Sequence, residues 1–68
     1  MELSARNHLP GFVKAIKLGN VMAEVLLDVA GNTVVAVITK ASAERLGLKE
    51  GDRVTAIIKA TEVMIAKG

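Results

Sequence analysis

The chain has 68 residues, a net charge of +2, no cysteine and one histidine, which excludes disulfides, thiolate metal sites and an ordinary zinc site. So short a chain buries only about 60% of its unfolded surface, so we expect association between copies to support a marginal core. Apolar residues make up 51% of the sequence but only one is aromatic, so valine, isoleucine, alanine and leucine must form that core.

Two strand-like segments open the chain. The first covers residues 3–17 and is interrupted at Pro10 and Gly11, because proline cannot donate to a strand ladder and is confined to edges and bulges. A Gly-Asn pair then indicates a turn. The second segment, residues 21–29, has valine, alanine or leucine at every odd position. This period of two predicts a half-buried strand.

A hairpin turn over residues 30–32 leads into a third predicted strand. Residues 33–39 carry five consecutive apolar residues between two threonines, so this strand is apolar on both faces. Strands of that kind are normally covered on both faces. A chain of this size cannot cover both faces by itself, so we expect neighbouring subunits to do so.

The pattern changes to that of a short helix after the third strand. Ser42 is a suitable N-cap for a helix over residues 43–46, and Glu44 in the first turn would suit the helix dipole. Gly47 is suited to end the helix in a left-handed conformation.

Two further strands complete the predicted fold. Residues 53–59 follow a turn and are strand-like, and residues 60–66 either continue this strand after a bend or form a fifth. Five short strands with one small helix before the fourth predict an all-β fold, a small OB-like barrel, as a single domain over residues 1–68. We expect its copies to associate through β-strand exchange or interface packing.

The sequence predicts a binding protein rather than an enzyme, with no cofactor. The single histidine lies near the N-terminus, and no P-loop or dinucleotide-binding motif is present. The uninterrupted apolar run at residues 34–38 is far shorter than the about 18 residues of a membrane span. Polar residues among the first seven positions leave no apolar signal-peptide core, so we expect a cytoplasmic protein.

Two stretches of the chain combine cations and hydroxyls at a spacing of two. Ser4, Arg6 and His8 alternate near the N-terminus, and Lys59 and Thr61 do so near the other end. In an extended strand, residues two apart share one face. Two cations with hydroxyl donors, completed by backbone N–H groups near a bend, suit a small tetrahedral dianion.

Simpler roles remain open for these residues. A lone lysine at a strand end, such as Lys59, is usually solvated. Arg6 could instead pair with Glu2 or Glu62, and an exposed pair of this kind is worth about 0–1 kcal/mol. The hydroxyl residues suit strand edges without any ligand.

Three stretches resemble the molbindins, the small Mop proteins of the TOBE class. They are S-A-R-N at residues 4–7, V-M-A-E-V at residues 21–25 and K-A-T-E-V-M at residues 59–64, and the resemblance covers essentially the whole chain. It implies an OB-like barrel that assembles as a hexamer, a trimer of dimers. It also implies that molybdate or tungstate binds between subunits and is stored and buffered in the cytoplasm.

The resemblance also assigns individual residues to an interface site for the oxyanion. It implies that Ser4 and Arg6 form one half of the site. Lys59, Ala60 and Thr61 would form the other half, with Ala60 contributing only its backbone N–H. An N-terminal strand that reaches across to a partner would bring the two halves together.

The family pattern implies two further groups of contacts. Asn20, Val21 and Met22 match a segment whose backbone approaches the anion. Asn7 and His8 are candidates for a second site near the three-fold axis, because the axis would bring three copies of each together.

Two nucleic-acid-binding alternatives compete with this interpretation. An OB-fold that binds nucleic acid uses aromatic side chains to stack bases, and this chain offers only Phe12. A swapped-hairpin dimer like the AbrB-type transition regulators is suggested by residues 44–54, E-R-L-G-L-K-E-G-D-R-V, but that likeness is local. Chain length disfavours a sensing module of a larger molybdate-responsive regulator or transporter ATPase.

Overall fold

The computed structural model describes residues 6–68, and over that range four β-strands form one antiparallel sheet in the order β3-β2-β1-β4. The elements in chain order are β1 (Asn7–Leu18), β2 (Met22–Val29), β3 (Asn32–Thr39), α1 (Lys40–Leu46), β4 (Arg53–Ile58) and a 3₁₀ helix (Ala60–Glu62). A mostly β architecture with one short helix is therefore confirmed.

The long first strand, β1, is paired differently along its two halves. Up to Phe12 it pairs with β4, and from Phe12 onwards it pairs with β2. A register shift between Val13 and Ala15 marks a bulge, which bends the strand and increases its twist. Gly11 lies just before this bulge, where a Cβ atom would overlap the backbone carbonyl oxygen of Asp28. The close approach of β1 to β2 therefore requires glycine at this position.

Pro10 does not interrupt the first strand, contrary to the prediction. It lies within β1, opposite Thr55 of β4, in the half of the strand that has only one neighbour. On the unpaired side of a strand the backbone N–H groups have no partner in a neighbouring strand. Proline, which has no N–H, is tolerated in such a position. The expectation of an edge position is confirmed, and the expectation of a break is wrong.

The helix begins three residues earlier than predicted. Thr39, not Ser42, is the N-cap, and its hydroxyl oxygen accepts a hydrogen bond from the N–H of Ser42 at 3.0 Å. The first turn consequently contains no acidic residue, so the expected position of Glu44 is also wrong. Gly47 ends the helix as predicted, with a left-handed φ of 63° that glycine adopts without strain.

The predicted fifth strand is absent from the part of the chain that the structure describes. Ala60–Glu62 form a 3₁₀ helix, and residues 63–68 belong to no regular element. A strand is stabilised by hydrogen bonds to a neighbouring strand, and residues 63–68 have no such neighbour among residues 6–68. The apolar character of the segment suits a strand, but apolar character does not supply the neighbour.

The interior of the protein is centred on β2. The buried hydrophobic side chains among the described residues are Val13, Ala23, Val25, Leu27 and Ala43. Three of them are odd-numbered residues of β2, so the predicted alternation is confirmed. Half-buried side chains from β3, β4 and the turn before β4 surround this cluster. The core is small, as expected for a chain of this length.

A second set of apolar side chains is exposed in the single chain. They lie along β1, on the outer face of β3, at the end of α1 and in the C-terminal segment, and include Phe12, Leu18, Val35, Val37, Leu46, Met64 and Ile65. The third strand is thus apolar on both faces, as its sequence predicted. No helix within residues 6–68 is long and apolar enough to cross a membrane.

Candidate functional site

Two of the predicted site residues, Arg6 and Lys59, lie next to the last ladder pair of β1 and β4. The last pair of this ladder joins Asn7 to Ile58, and the amide nitrogen Nδ2 of Asn7 donates to the carbonyl oxygen of Ile58 at 3.1 Å. Arg6 and Lys59 are the next residues on the two strands.

The second half of the predicted site is a single turn of 3₁₀ helix. Lys59 is its N-cap in an extended conformation, and the first hydrogen bond of the turn runs from the N–H of Glu62 to the carbonyl oxygen of Lys59 at 2.9 Å. The N–H groups of Ala60 and Thr61 lie before this first bond. Like the first N–H groups of any helix, they have no acceptor within the turn. Lys59, Ala60 and Thr61 are all exposed. This turn therefore presents an ammonium group, a hydroxyl group and two backbone donors to its surroundings.

Neither of these cations is neutralised by a carboxylate of the described residues. Over residues 6–68 the salt bridge of the chain joins Lys17 to Glu24 at 4.0 Å, far from this end of the sheet. The alternative pairing of Arg6 with Glu62 is not formed, and Glu2 lies outside the described residues. An excess of positive charge at the β1–β4 end is consistent with an anionic ligand.

Asn7 and His8, the candidates for a second site, lie at the same end of the sheet as Arg6. The half-buried Asn7 uses one amide hydrogen to hold the end of the ladder, which leaves its other amide hydrogen available. His8 is exposed and lies opposite Ile57 of β4. Ser4 lies outside the described residues, so the structure does not place it.

Asn20, Val21 and Met22 lie at the opposite end of β1, in the tight connection to β2. The N–H of Gly19 donates to the carbonyl oxygen of Met22 at 2.8 Å, and Val21 accepts from the N–H of Lys40 at 2.7 Å. These two bonds fix the backbone of the turn against the start of α1. The side chain of Val21 is 70% exposed, so the turn lies at the surface.

The start of α1 lies beside this turn, which the sequence analysis did not predict. Met22 pairs with Thr39, the helix N-cap, so the polar side chains at the start of α1 lie close to this turn. The Thr39 hydroxyl donates to the Ser42 hydroxyl oxygen at 2.7 Å, and Arg45 donates to the same oxygen at 3.2 Å. The T-x-x-S spacing of an N-cap was the signal that could have indicated this arrangement.

Within one chain, these two donor groups lie at opposite ends of β1. β1 has 12 residues, and at about 3.3 Å per residue its ends are separated by roughly 36 Å along the strand. The longest dimension of the chain is 35 Å.

Comparison with known proteins shows what the chain is similar to. The TOBE domain model matches residues 3–65. The chain is 53% identical over 66 residues to molybdenum-pterin-binding protein 3 of Clostridium pasteurianum, covering 96% of this chain and 97% of that protein. A molybdate-binding protein from Sporomusa ovata superposes with a TM-score of 0.95 at 46% identity, covering 98% of this chain and 100% of that one.

A third similar structure is that of ModG, described as a cytoplasmic molybdate-binding protein and determined with molybdate bound. It matches at 46% identity with a TM-score of 0.83, over 88% of this chain and 43% of that one. The family model and the near-full-length relatives agree with each other and with the fold. The chain therefore belongs to the TOBE domain family, and within it to the molbindins, or Mop proteins.

Proposed function

We propose that this protein binds molybdate or tungstate at interfaces between copies of itself and so stores and buffers the oxyanion in the cytoplasm. The observation that carries the proposal is the separation of two donor groups at opposite ends of β1, combined with relatives that are described as binding molybdate. The role is that of a carrier of the anion, with no catalytic step.

The contacts to the anion would come from charge-assisted and neutral hydrogen bonds. Arg6 and Lys59 supply the positive charge, Thr61 and Ser4 supply hydroxyl groups, and the N–H of Ala60 supplies a backbone donor. Hydrogen bonds to an ionised acceptor are roughly twice as strong as neutral ones. Exclusion of water between two copies would strengthen each of them further.

The turn of a second copy would complete this site. The fixed backbone of Asn20, Val21 and Met22 offers donors that need no rearrangement when the anion arrives. The proposed assembly is a hexamer built as a trimer of dimers, which repeats each interface by symmetry. Asn7 and His8 would form a second class of site where three copies meet.

Size and protonation would provide the selectivity of such a site. Molybdate and tungstate are larger than sulfate and carry the same charge, so a fixed ring of donors discriminates by size. Phosphate is partly protonated near pH 7, and its O–H would face a donor instead of an acceptor. We expect affinity to fall from molybdate and tungstate to sulfate and phosphate.

The nucleic-acid alternatives are not favoured by the structure. Phe12, the single aromatic residue, already lies against Arg53, whose guanidinium carbon is 5.5 Å from the ring centre. A stacking platform for bases needs several such rings. The net charge of +2 is also small for a protein that binds a phosphate backbone.

Isothermal titration of the purified protein with molybdate, tungstate, sulfate and phosphate tests the proposal. We expect heat from the first two anions with a stoichiometry below one site per chain for any site shared between chains. A gel shift at several salt concentrations tests the nucleic-acid alternative in parallel. Absence of molybdate and tungstate binding at micromolar concentration would contradict the proposal.

A further inference from the structure

One side-chain hydrogen bond joins the two segments that carry the proposed cations. The amide nitrogen Nδ2 of Asn7 donates to the carbonyl oxygen of Ile58 at 3.1 Å, across 51 positions of the sequence. Arg6 directly precedes Asn7, and Lys59 directly follows Ile58. The carbonyl group of Ile58 and the N–H of Lys59 belong to one planar peptide unit. The bond therefore also restrains the direction in which the chain enters Lys59.

This hydrogen bond lies where the ladder between β1 and β4 ends. Asn7 and Ile58 are its last pair, and the chain then turns into the 3₁₀ helix Ala60–Glu62. The ends of strands open at a small cost in free energy, because few contacts hold them. The half-buried Asn7 adds a side-chain bond at this end. We therefore expect it to keep the last ladder pair closed.

Charge repulsion acts in the opposite direction at this end of the sheet. Arg6 and Lys59 are both cations, and neither has a carboxylate partner among the described residues. Like charges repel, and the repulsion grows as water is excluded. The side-chain amide of Asn7 is neutral, so it holds the two segments without pairing with either cation. An aspartate in its place would have no proton to donate when ionised and would compete with the anion for both cations.

We propose that Asn7 is a positioning residue of the main anion site. Its bond to the Ile58 carbonyl holds the Arg6 segment and the Lys59 turn at a fixed separation before the anion arrives. A site that is ordered in advance loses less conformational freedom on binding, which raises its affinity. This role rests on the proposed function and deepens it, because Asn7 acts on the main site without touching the anion there.

The first test is Asn7→Leu, which removes the donor and keeps a side chain of similar size. We expect molybdate to bind the main site about threefold to tenfold more weakly, which corresponds to the loss of one ordinary hydrogen bond. The mass from light scattering and the number of main-site anions from titration calorimetry should not change. An unchanged affinity would overturn the proposal. Fewer bound anions at unchanged main-site affinity would also overturn it and would assign Asn7 to the second class of site alone.

Asn32→Leu is the matched control for this substitution. The amide nitrogen Nδ2 of Asn32 donates to the carbonyl oxygen of Val29 at 3.3 Å, in the hairpin between β2 and β3. The same kind of bond is lost there, outside the proposed site, so the affinity for molybdate should stay within about twofold of wild type. Equal losses in the two variants would overturn the proposal. If the leucine variant loses the wild-type mass, Asn7→Ala removes the same donor and takes its place.

The second test separates positioning from general structural support. If Asn7 holds Arg6 relative to the Lys59 turn, its substitution should matter less once the Arg6 side chain is absent. In an Arg6→Ala background, Asn7→Leu should therefore weaken molybdate binding by less than about twofold, because residues that act through one network have non-additive effects. Losses that multiply in full would overturn the proposal.

The third test needs no anion and distinguishes this role from the proposed function. Without molybdate, Asn7→Leu should make the backbone amides of residues 56–58 exchange hydrogen at least about threefold faster, because the end of the ladder opens more often. Gly51, whose N–H donates to the carbonyl oxygen of Val13 at 2.8 Å, serves as the unchanged reference. Faster exchange in a protein whose wild type binds no molybdate contradicts the function and leaves the restraint intact. Unchanged exchange in a protein that binds molybdate normally contradicts the restraint and leaves the function intact.

Discussion

The middle of β2 is packed in the interior of the chain, whereas the two ends of β1 lie at its surface. Around β2, alternating side chains are packed between β1, β3 and α1, and Val25 and Leu27 are buried. At the ends of β1, by contrast, the donors of Arg6, Lys59 and the Asn20 turn are exposed. The comparison teaches that a single chain builds its own small core, whereas the donors assigned to the proposed site stay at its surface. The core explains why the chain folds, and the exposed parts explain why it should associate.

The largest expected effect on stability comes from the packed region. Leu27→Ala removes a side chain that is 5% exposed, and buried Leu→Ala changes cost about 2–5 kcal/mol. That is a large share of the about 3–10 kcal/mol expected for a chain of this size. Urea unfolding at a fixed protein concentration measures the loss.

Leu18→Ala is the matched control for this comparison, because Leu18 lies at the end of β1 and is 60% exposed. Its cost should stay within about 0.5 kcal/mol. Equal destabilisation by the two substitutions would contradict the distinction between the packed and the exposed regions.

The next largest effect concerns the anion. Arg6→Ala and Lys59→Ala each remove a charged donor, and hydrogen bonds to charged groups contribute about 1.5–3 kcal/mol. We therefore expect each variant to bind molybdate about 10-fold to 150-fold more weakly while it remains a folded oligomer. Titration calorimetry measures the affinity, and light scattering measures the mass.

Lys14→Ala provides the control for the loss of a positive charge. Lys14 is an exposed cation on β1 that donates to the hydroxyl oxygen of Thr33 at 3.1 Å, away from the proposed site. Its removal should leave the affinity for molybdate almost unchanged. Wild-type affinity after Arg6→Ala or Lys59→Ala would remove that residue from the site.

His8→Ala should change the number of bound anions rather than their affinity at the main site. His8 lies one strand position beyond Asn7, and the second class of site is proposed where three copies of both residues meet. Molybdenum content per oligomer, measured with excess molybdate, should decrease by the number of these sites. An unchanged molybdenum content would contradict the assignment of His8.

The smallest effect is expected for the exposed ion pair. Lys17 and Glu24 are 4.0 Å apart on the outer surface of β1 and β2, and exposed pairs contribute about 0–1 kcal/mol. Lys17→Ala should therefore shift the urea midpoint only slightly. A loss comparable with that of Leu27→Ala would mean that surface charge, rather than β2 packing, dominates the stability.

The parts of the fold that depend on local sequence were predictable. The alternation along β2 was visible because burial on one face repeats every second residue. Gly47 was recognisable as the end of the helix because its left-handed conformation favours glycine. The N-cap at Thr39 was missed because threonine suits the end of β3 equally well.

The parts that depend on distant or intermolecular contacts were not predictable from the residues alone. The apolar character of residues 60–66 predicted a strand, but residues 60–62 form a 3₁₀ turn and residues 63–68 have no neighbouring strand among the described residues. The family resemblance named Arg6 and the Asn20 turn as contacts of one anion. The structure adds that these two groups lie at opposite ends of the 12-residue strand β1 within one chain.

Native mass spectrometry with molybdate, over a range of protein dilutions, tests most directly whether no single chain carries a complete site. We predict that bound molybdenum is found only in species of two or more chains and is lost as the oligomer dissociates. Molybdate bound to a monomer as tightly as to the oligomer would contradict the account.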